Sequence, residues 1–349
     1  MIIDAHCHLA PPESPGAPSL KDVDGFLERK AQDGIDRAVI VHGIVRLPGL
    51  GGLLDRLKRW NEFNLGVREQ YPDRVSVMVG VDAFEGDGML EEARRAVAAG
   101  SCGFSVSSSV DGHRLDDPRA EDFWSLAEEL DVPVLIHPPV RPGGVGDPRL
   151  DEFGNRAVDV GLSLAAAIFA GVLDRHPSLR LIAGAGGGGI AALAGRLDAG
   201  YRIPALAGAA LAGPPASAAG AAPARPPASA AGATPAGPPA SAAGATPAGP
   251  PAGVPPQDTP VPDETGPVPA ETPSSYLRRV YVDTLMFSEP ALRCALEVFG
   301  PDRLLFGTDW PPVEIPAAVS RRLIDRLDVS DDERAGILGG NAAALLKLP

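Results

Sequence analysis

Short runs of apolar and β-branched residues recur along the chain, separated by segments with apolar residues at helical spacing. Eight runs have the length of buried strands, at residues 2–5, 37–41, 75–81, 103–106, 132–136, 179–183, 280–283 and 304–306. The segments between them predict helices at 23–30, 53–67, 91–99, 120–130, 156–175, 190–199, 291–299 and 317–327, with a terminal helix at 330–346. This alternation predicts a parallel sheet with helical crossovers.

Eight strand–helix units favour a closed barrel over an open doubly wound sheet. The units occupy about 280 residues once one repetitive segment is set aside, which is typical of the (β/α)8 or TIM-barrel fold. We therefore predict an α/β chain with a single barrel domain formed by residues 1–205 and 274–349.

A Pro/Ala/Gly-rich segment separates the predicted units six and seven. From Pro214 a twelve-residue pattern that opens with a Pro-Pro pair restarts at Pro226, Pro238 and Pro250. Alanine is the only apolar side chain of the repeat, and proline breaks helices, so the segment cannot bury enough surface to offset its ordering entropy. We predict that residues 206–273 are a disordered insert. It would serve either as a passive loop expansion or as a Pro-rich docking segment.

Charge and cysteine content narrow the classes of partner and compartment. The chain has 349 residues, with 31 Lys and Arg against 45 Asp and Glu, for a net charge of −14. Nucleic acids and anionic membranes require a basic surface, so neither is expected as a partner. Three scattered cysteines suit a reducing compartment, and the N-terminal sequence lacks the pattern of a secretory signal. We expect a cytoplasmic protein.

Histidines and one aspartate occupy the predicted carboxyl ends of three strands. His6 and His8 lie two apart on the first strand, so both imidazoles can face one ion while Cys7 points away; the alternative is a pair of polar strand-end residues. His137 ends the fifth strand, as a third imidazole or a capped strand end, and Asp309 follows the eighth. Strands one and eight become neighbours in a closed barrel. Three imidazoles and a carboxylate suit Zn²⁺, with Fe, Co or Mn as alternatives.

Three further residues are candidates for substrate binding. Arg46 follows the second strand and could pair with a substrate carboxylate, or could be a solvated loop residue. His42 ends the same strand and would point towards the barrel mouth or into the core. Trp310 beside Asp309 could stack on an unsaturated or aromatic substrate, or could pack the rim of the barrel.

Four stretches together resemble the amidohydrolase superfamily, in particular its aminocarboxymuconate-semialdehyde decarboxylase-like branch. They read MIIDAHCHL, GHRLDDPRAEDFWSLAEELDVPVLIHPP, AGVLDRHPSLRLIAGAGGGG and SYLRRVYVDTLMF through LLFGTDWP. The resemblance implies a barrel with one divalent metal, usually zinc, held by His6, His8, His137 and Asp309. It also implies a metal-bound water as the reactive group, with Asp309 as a catalytic residue.

One position departs from the family pattern. Where the family usually has His-Gly-Gly-Gly after the sixth strand, this chain has Ala185 followed by glycines, so the His that deprotonates the metal-bound water is replaced. We expect a decarboxylase or hydrolase that acts on a small carboxylated or cyclic molecule, with a homodimer as the candidate assembly. The alternative is a catalytically impaired barrel that works as a binding protein.

Overall fold

The computed structural model describes residues 1–42, 52–139, 146–203 and 269–348. Eight parallel strands follow one another around a nearly closed barrel, which confirms the predicted fold. They are β1 (Ile3–Cys7), β2 (Arg37–Val41), β3 (Val75–Gly80), β4 (Gly103–Ser107), β7 (Val134–His137), β8 (Leu181–Ala183), β9 (Tyr281–Asp283) and β10 (Leu304–Leu305). A hairpin that the sequence pattern did not predict, β5 (Ser109–Val110) with β6 (His113–Arg114), follows β4.

The seam between β10 and β1 is closed by the chain that follows β10. Ala5 N donates to Phe306 O at 2.8 Å, and Asp309 N donates to His6 O at 2.8 Å. His8 N donates to Trp310 O at 2.9 Å, so the loop after β10 is held along the whole length of β1. The first and last strands are thereby neighbours, as a closed barrel requires.

Two apolar clusters surround the strands. The outer cluster packs the strands against the helices and includes Phe26, Leu57, Phe104 and Trp124. The inner cluster fills the barrel, and its members come from the strands and the last helix: Ile3, Ala5, Val39, Val41, Met78, Leu135, Ile182, Leu305, Ala342, Leu345 and Leu346. Because both faces of each strand are buried, the strands appear in the sequence as continuous apolar runs.

An irregularity in β1 determines which of its side chains face the barrel interior. Asp4 is opposite Ala38 and Cys7 is opposite Ile40, so three steps on β1 match two on β2. One extra residue shifts the alternation of side chains, as in a β-bulge. Ala5 therefore belongs to the inner cluster and Cys7 to the outer one, although strict alternation would place them on the same face.

All nine predicted helices are present, two of them interrupted, and two short helices, Pro148–Leu150 and Pro273–Leu277, were not predicted. The α-helices are Val23–Gln32, Leu53–Gln70, Asp87–Ala98, Glu121–Glu129, Pro148–Leu150, Arg156–Phe169, Val172–Arg175, Ile190–Tyr201, Pro273–Leu277, Glu289–Phe299, Ala317–Asp325, Asp331–Ala335 and Asn341–Leu345. The single helix predicted over 156–175 is broken at Gly171, which adopts a left-handed φ of 69°. The terminal helix begins with a capping box at Ser330 but passes through the π-helical turn Gly336–Gly340. Within the described part of the chain, every helix is too short or too polar to span a bilayer.

Most of the predicted insert, residues 204–268, lies outside the described residues. The chain is described again from residue 269, ahead of the boundary predicted at 274. Tyr201 Oη donates to Pro269 O at 3.1 Å, and Ala270 N donates to Asp174 Oδ2 at 3.0 Å. Pro273 is buried at the start of a short helix. The last residues before position 274 are therefore attached to the barrel.

Candidate metal centre and cavity

Three imidazoles meet at the carboxyl ends of β1 and β7. The ring centroids of His6, His8 and His137 lie 5.1–5.3 Å apart, and all three side chains are buried. One nitrogen from each ring lies within 4.8 Å of the other two. The structure therefore brings together the three histidines that the sequence pattern singled out.

Each imidazole uses its Nδ1 atom for a hydrogen bond to a fixed acceptor. The pairs are His6 Nδ1 with Asp283 Oδ2 at 2.8 Å, His8 Nδ1 with Val41 O at 3.0 Å and His137 Nδ1 with Pro138 O at 2.8 Å. Such acceptors hold the proton on Nδ1 and leave Nε2 as the electron-pair donor. His6 Nε2 is buried without a hydrogen-bond partner, which fits a position facing an ion.

Asp309 adds a carboxylate to the three imidazoles. Its Oδ1 lies 2.9 Å from His8 Nε2, and its backbone has a φ of 53°, which is uncommon outside glycine. The bond from Asp309 N to His6 O and the bond from Val313 N to Asp309 O, at 2.9 Å, hold this conformation. Three imidazole nitrogens and one carboxylate oxygen are a donor set that fits Zn²⁺ and other borderline divalent ions.

The neighbouring charges favour cation binding at His137 and Asp309, whereas at His6 they favour the protonated ring, whose proton an ion would have to displace. Burial and the two neighbouring imidazoles lower the pKa of His137 well below its ordinary value, so its ring is neutral. Burial would raise the pKa of Asp309, but its contact with His8 Nε2 and the nearby imidazoles outweigh this effect and lower that pKa. Burial also opposes protonation of His6, yet the bond to Asp283 and its charge raise the pKa of His6.

Asp283 supports the site, although the sequence pattern did not single it out. Besides pairing with His6, its carboxylate accepts hydrogen bonds from Ala185 N at 3.0 Å and Gly186 N at 2.6 Å. It therefore joins the glycine turn after β8 to the metal ligands. Its position at the carboxyl end of β9 could have identified it from the sequence as a candidate site residue, because barrel enzymes place functional residues at these strand ends.

A buried ion pair lies behind the ligands and holds the chain that carries Asp309. Lys30 Nζ, on the helix Val23–Gln32, donates to Asp4 Oδ2 at 2.5 Å and to Thr308 Oγ1 at 3.1 Å. Asp4 also accepts from Thr308 N at 3.0 Å and from Thr308 Oγ1 at 2.6 Å. The sequence alone offered no sign of this network, because its partners come from three separate segments.

A cavity of about 510 Å³ opens beside the ligands. His8, His137, Asp309 and Ala185 contribute to its floor, and its walls are mostly apolar, formed among others by Leu9, Leu20, Trp60, Phe153, Met286 and Phe287. Among the described residues that line it, Arg156 is the only Lys or Arg. Arg156 Nε donates to Pro139 O at 2.7 Å, and Nη1 pairs with Glu152. Sequence reasoning did not identify this arginine, which begins a helix with no distinguishing motif.

The predicted substrate-binding residues occupy different places. Arg46 lies outside the described residues. His42 is buried with its ring 4.5 Å from that of Trp60, behind the cavity wall that Trp60 forms. Trp310 turns towards the outer helices, with its ring 5.7 Å from Phe26 and Lys30 Nζ over its face, so its position matches the rim-packing alternative.

Ala185, at the position where the resemblance predicted a histidine in related chains, lines the cavity. Its φ is 49°, and the glycines that follow, 186–189, also have positive φ values. Its methyl group offers no titratable atom, so this corner of the floor has no base of its own.

A family description reading "Amidohydrolase" matches residues 3–348, so the chain belongs to the amidohydrolase family. It is similar to a 2-amino-3-carboxymuconate-6-semialdehyde decarboxylase of Dictyostelium discoideum, with 24% identity over 266 residues, which are 74% of this chain and 57% of that protein. A gamma-resorcylate decarboxylase of Rhodococcus jostii is 32% identical over 166 residues, 42% of this chain and 49% of that protein. The matches thus span about half the length of these curated relatives.

The solved structures agree on the fold. One is a 5-carboxyvanillate decarboxylase from Novosphingobium aromaticivorans, complexed with manganese and 4-hydroxy-3-methoxy-5-nitrobenzoic acid. It matches with a TM-score of 0.73 at 20% identity, covering 100% of this chain and 96% of that chain.

Proposed function

We propose that this protein is a metal-dependent decarboxylase, a carbon–carbon lyase that acts on a small carboxylated aromatic acid. The observation that carries the proposal is the convergence of three imidazole nitrogens and Asp309 on the floor of a largely apolar cavity. The decarboxylases among the relatives support the choice of reaction.

The donor set of His6, His8, His137 and Asp309 would hold one divalent ion. We expect zinc from the three nitrogen ligands, and the manganese in the carboxyvanillate decarboxylase makes Mn²⁺ the alternative. When bound, the ion would supply a Lewis acid that holds an anionic oxygen of the substrate at the cavity floor.

Side chains of the cavity would bind the ring and the carboxylate of the substrate. Trp60, Leu9 and Met286 offer apolar walls that would hold an aromatic ring and exclude water. Arg156 offers a guanidinium for a substrate carboxylate, since one of its nitrogens pairs with the more exposed Glu152 and can exchange that partner.

Decarboxylation requires that the ring carbon receive a proton as the bond to the carboxylate breaks. Asp309 is the acidic group next to the ligands that also reaches the cavity, with about a quarter of its side chain exposed (26%). Because its pKa is lowered, it begins as a carboxylate, and we assign it the transfer of a proton from a substrate hydroxyl to the ring carbon.

The test combines metal analysis with a screen for CO₂ release from hydroxybenzoic and unsaturated acids. We expect about one metal per chain and CO₂ release from at least one acid. We expect both to be lost in His137→Ala and kept in the control His113→Ala, which changes an exposed histidine on the hairpin.

Native protein that takes up no metal on reconstitution would contradict the metal site. Hydrolysis of a lactone or amide without any CO₂ release would make the protein a hydrolase.

Ala185 favours a second candidate, a barrel that binds its ligand without efficient turnover. Loss of a general base typically costs about 10²–10⁴ in rate. In that case the acids of the screen would raise the unfolding temperature of the metal-loaded protein while no product accumulates.

A further inference from the structure

A second cavity, of about 310 Å³, lies at the opposite end of the barrel from the metal ligands. Its walls come from the amino ends of strands: Arg37 begins β2, Ser76 is the second residue of β3, and Cys102 directly precedes β4. Residues 345–348, at and after the end of the last helix, form another part of its wall. Barrels build their active sites at the carboxyl ends of the strands, so this cavity is separate from the proposed reaction.

The lining of this cavity is basic in a chain whose net charge is −14. It contains Arg37, Arg68 and Lys347 with Asp131 as its one carboxylate among the described lining residues. Asp131 is already engaged, because Arg180 Nη2 lies 2.5 Å from its Oδ1 and Lys347 Nζ pairs with its Oδ2. Among the described residues, two positive charges therefore line the cavity without an acidic partner.

Arg37 and Arg68 are these two charges. The Arg37 side chain is largely buried, at 7% exposure for the residue, and its Nη1 donates only to neutral acceptors, Pro72 O at 2.9 Å and Ser76 Oγ at 3.1 Å. Arg68 makes no hydrogen bond or ion pair with any other described residue. A buried guanidinium without a counter-charge is unfavourable, so an anion would stabilise this arrangement.

The two arginines line the same cavity and both act on Cys102. Arg68 lies against Gly100, where a Cβ atom would come within 2.6 Å of Arg68 Nη1, so the glycine makes room for this side chain. Burial raises the pKa of the Cys102 thiol to about 12, while the charges of Arg68 and Arg37 both act to lower it. The positive charges of Arg68 and Arg37 therefore both act on the Cys102 thiol.

Because Arg37 and Arg68 line the same cavity, we propose that it binds a small organic anion through a phosphate or carboxylate group held by these two side chains. Guanidinium groups bind both kinds of anion through paired hydrogen bonds. Leu130, Pro133 and Leu346 give the cavity an apolar side for a short carbon skeleton. Its volume is near the lower end of ligand sites, about 300–1,000 Å³, which limits the ligand to a small molecule.

The test is titration calorimetry of the full chain with inorganic phosphate and, separately, butyrate, at constant ionic strength. We expect saturable binding of at least one probe, and the tighter one identifies the anionic group. Arg68→Gln should weaken that binding about ten- to a hundredfold, because one charged hydrogen-bonding partner is lost. The control Arg196→Gln removes an exposed arginine from the helix Ile190–Tyr201 and should leave the affinity unchanged.

Two further variants keep the outcome decisive. Arg68→Lys retains the charge and should bind more tightly than Arg68→Gln, which separates loss of the charge from damage to the fold. Arg156→Gln alters the cavity beside the three histidines and should not change the affinity for phosphate, nor the part of butyrate binding that Arg68→Gln weakens. The proposal is wrong if neither probe binds saturably, or if Arg156→Gln weakens binding while Arg68→Gln does not.

Discussion

At the scale of single residues, the metal centre depends on which imidazole nitrogen carries the proton. Asp283 and two backbone carbonyl groups hold the protons of His6, His8 and His137 on Nδ1. The Nε2 atom of each ring is then the one available to bind an ion. Asp283 also accepts the backbone N–H of Ala185. Ala185 is therefore connected through one carboxylate to His6.

Ala185→His should increase turnover if the chemistry follows that of the family. The left-handed φ of 49° at this position is one that histidine adopts more readily than most residues. The added imidazole would reach the cavity floor, and we expect a gain of at most about 10²–10⁴ in rate. The measurement compares kcat of native and variant proteins with equal metal content. A native enzyme that the substitution slows would show that Ala185 belongs to a different mechanism.

At the scale of secondary-structure elements, the helix Val23–Gln32 stabilises the seam of the barrel through one side chain. Lys30 reaches from this helix to Asp4 on β1 and to Thr308 beyond β10, and all three side chains are buried. Removing one partner of a buried ion pair leaves the other charge without compensation.

Lys30→Met should destabilise the fold strongly. Asp4 would remain buried with only the Thr308 and backbone bonds, at a cost of about 3–5 kcal/mol. Thermal unfolding should show a fall in Tm of several degrees or more. Lys58→Met, on the helix Leu53–Gln70, also removes a lysine and should shift Tm much less. Equal shifts in the two variants would mean that the buried pair adds no stability.

Replacing residues 206–268 by a short Gly/Ser linker should leave Tm nearly unchanged, because the Pro/Ala repeat offers little apolar surface to bury. Extending the replacement to residue 273 should lower Tm, since it removes the Ala270–Asp174 bond and buried Pro273. Differential scanning calorimetry would compare the Tm of the two variants with that of the native chain. A large fall in Tm for the shorter replacement would mean that the repeat packs against the barrel.

At the scale of the whole molecule, several exposed apolar side chains lie on one segment of the chain, which also contributes Phe153 to the cavity wall. Phe153, Val158 and Leu162 are 64%, 49% and 48% exposed, and the last two lie one helical turn apart on Arg156–Phe169. Apolar patches of this kind are common at interfaces between subunits.

We expect the protein to form a homodimer that Leu162→Glu disrupts, because a charge would be buried in an apolar contact. Light scattering coupled to size exclusion should give twice the chain mass of 35.9 kDa for the native protein and the single mass for the variant. Ala318→Glu introduces the same charge on an exposed position of another helix and should remain dimeric. A monomeric native chain at tens of micromolar would contradict the expectation.

The sequence by itself determined the eight strands, their order and the positions of His6, His8, His137 and Asp309 at strand ends. These features depend on short-range patterns, because a fully buried strand appears as a local apolar run and strand order follows from right-handed crossovers. The break at Gly171 escaped prediction because helical periodicity continues across it.

Only the tertiary structure decided how the site is completed. The extra residue in β1 is visible only against β2, and Asp283 lies 277 residues from His6 in the sequence. Arg156 reaches one cavity, and Arg37 and Arg68 line the other, through packing that no local pattern records. These groups were missed because hydrogen bonds and charge pairs between distant segments depend on how helices pack on the barrel, whereas strand periodicity depends on near neighbours alone.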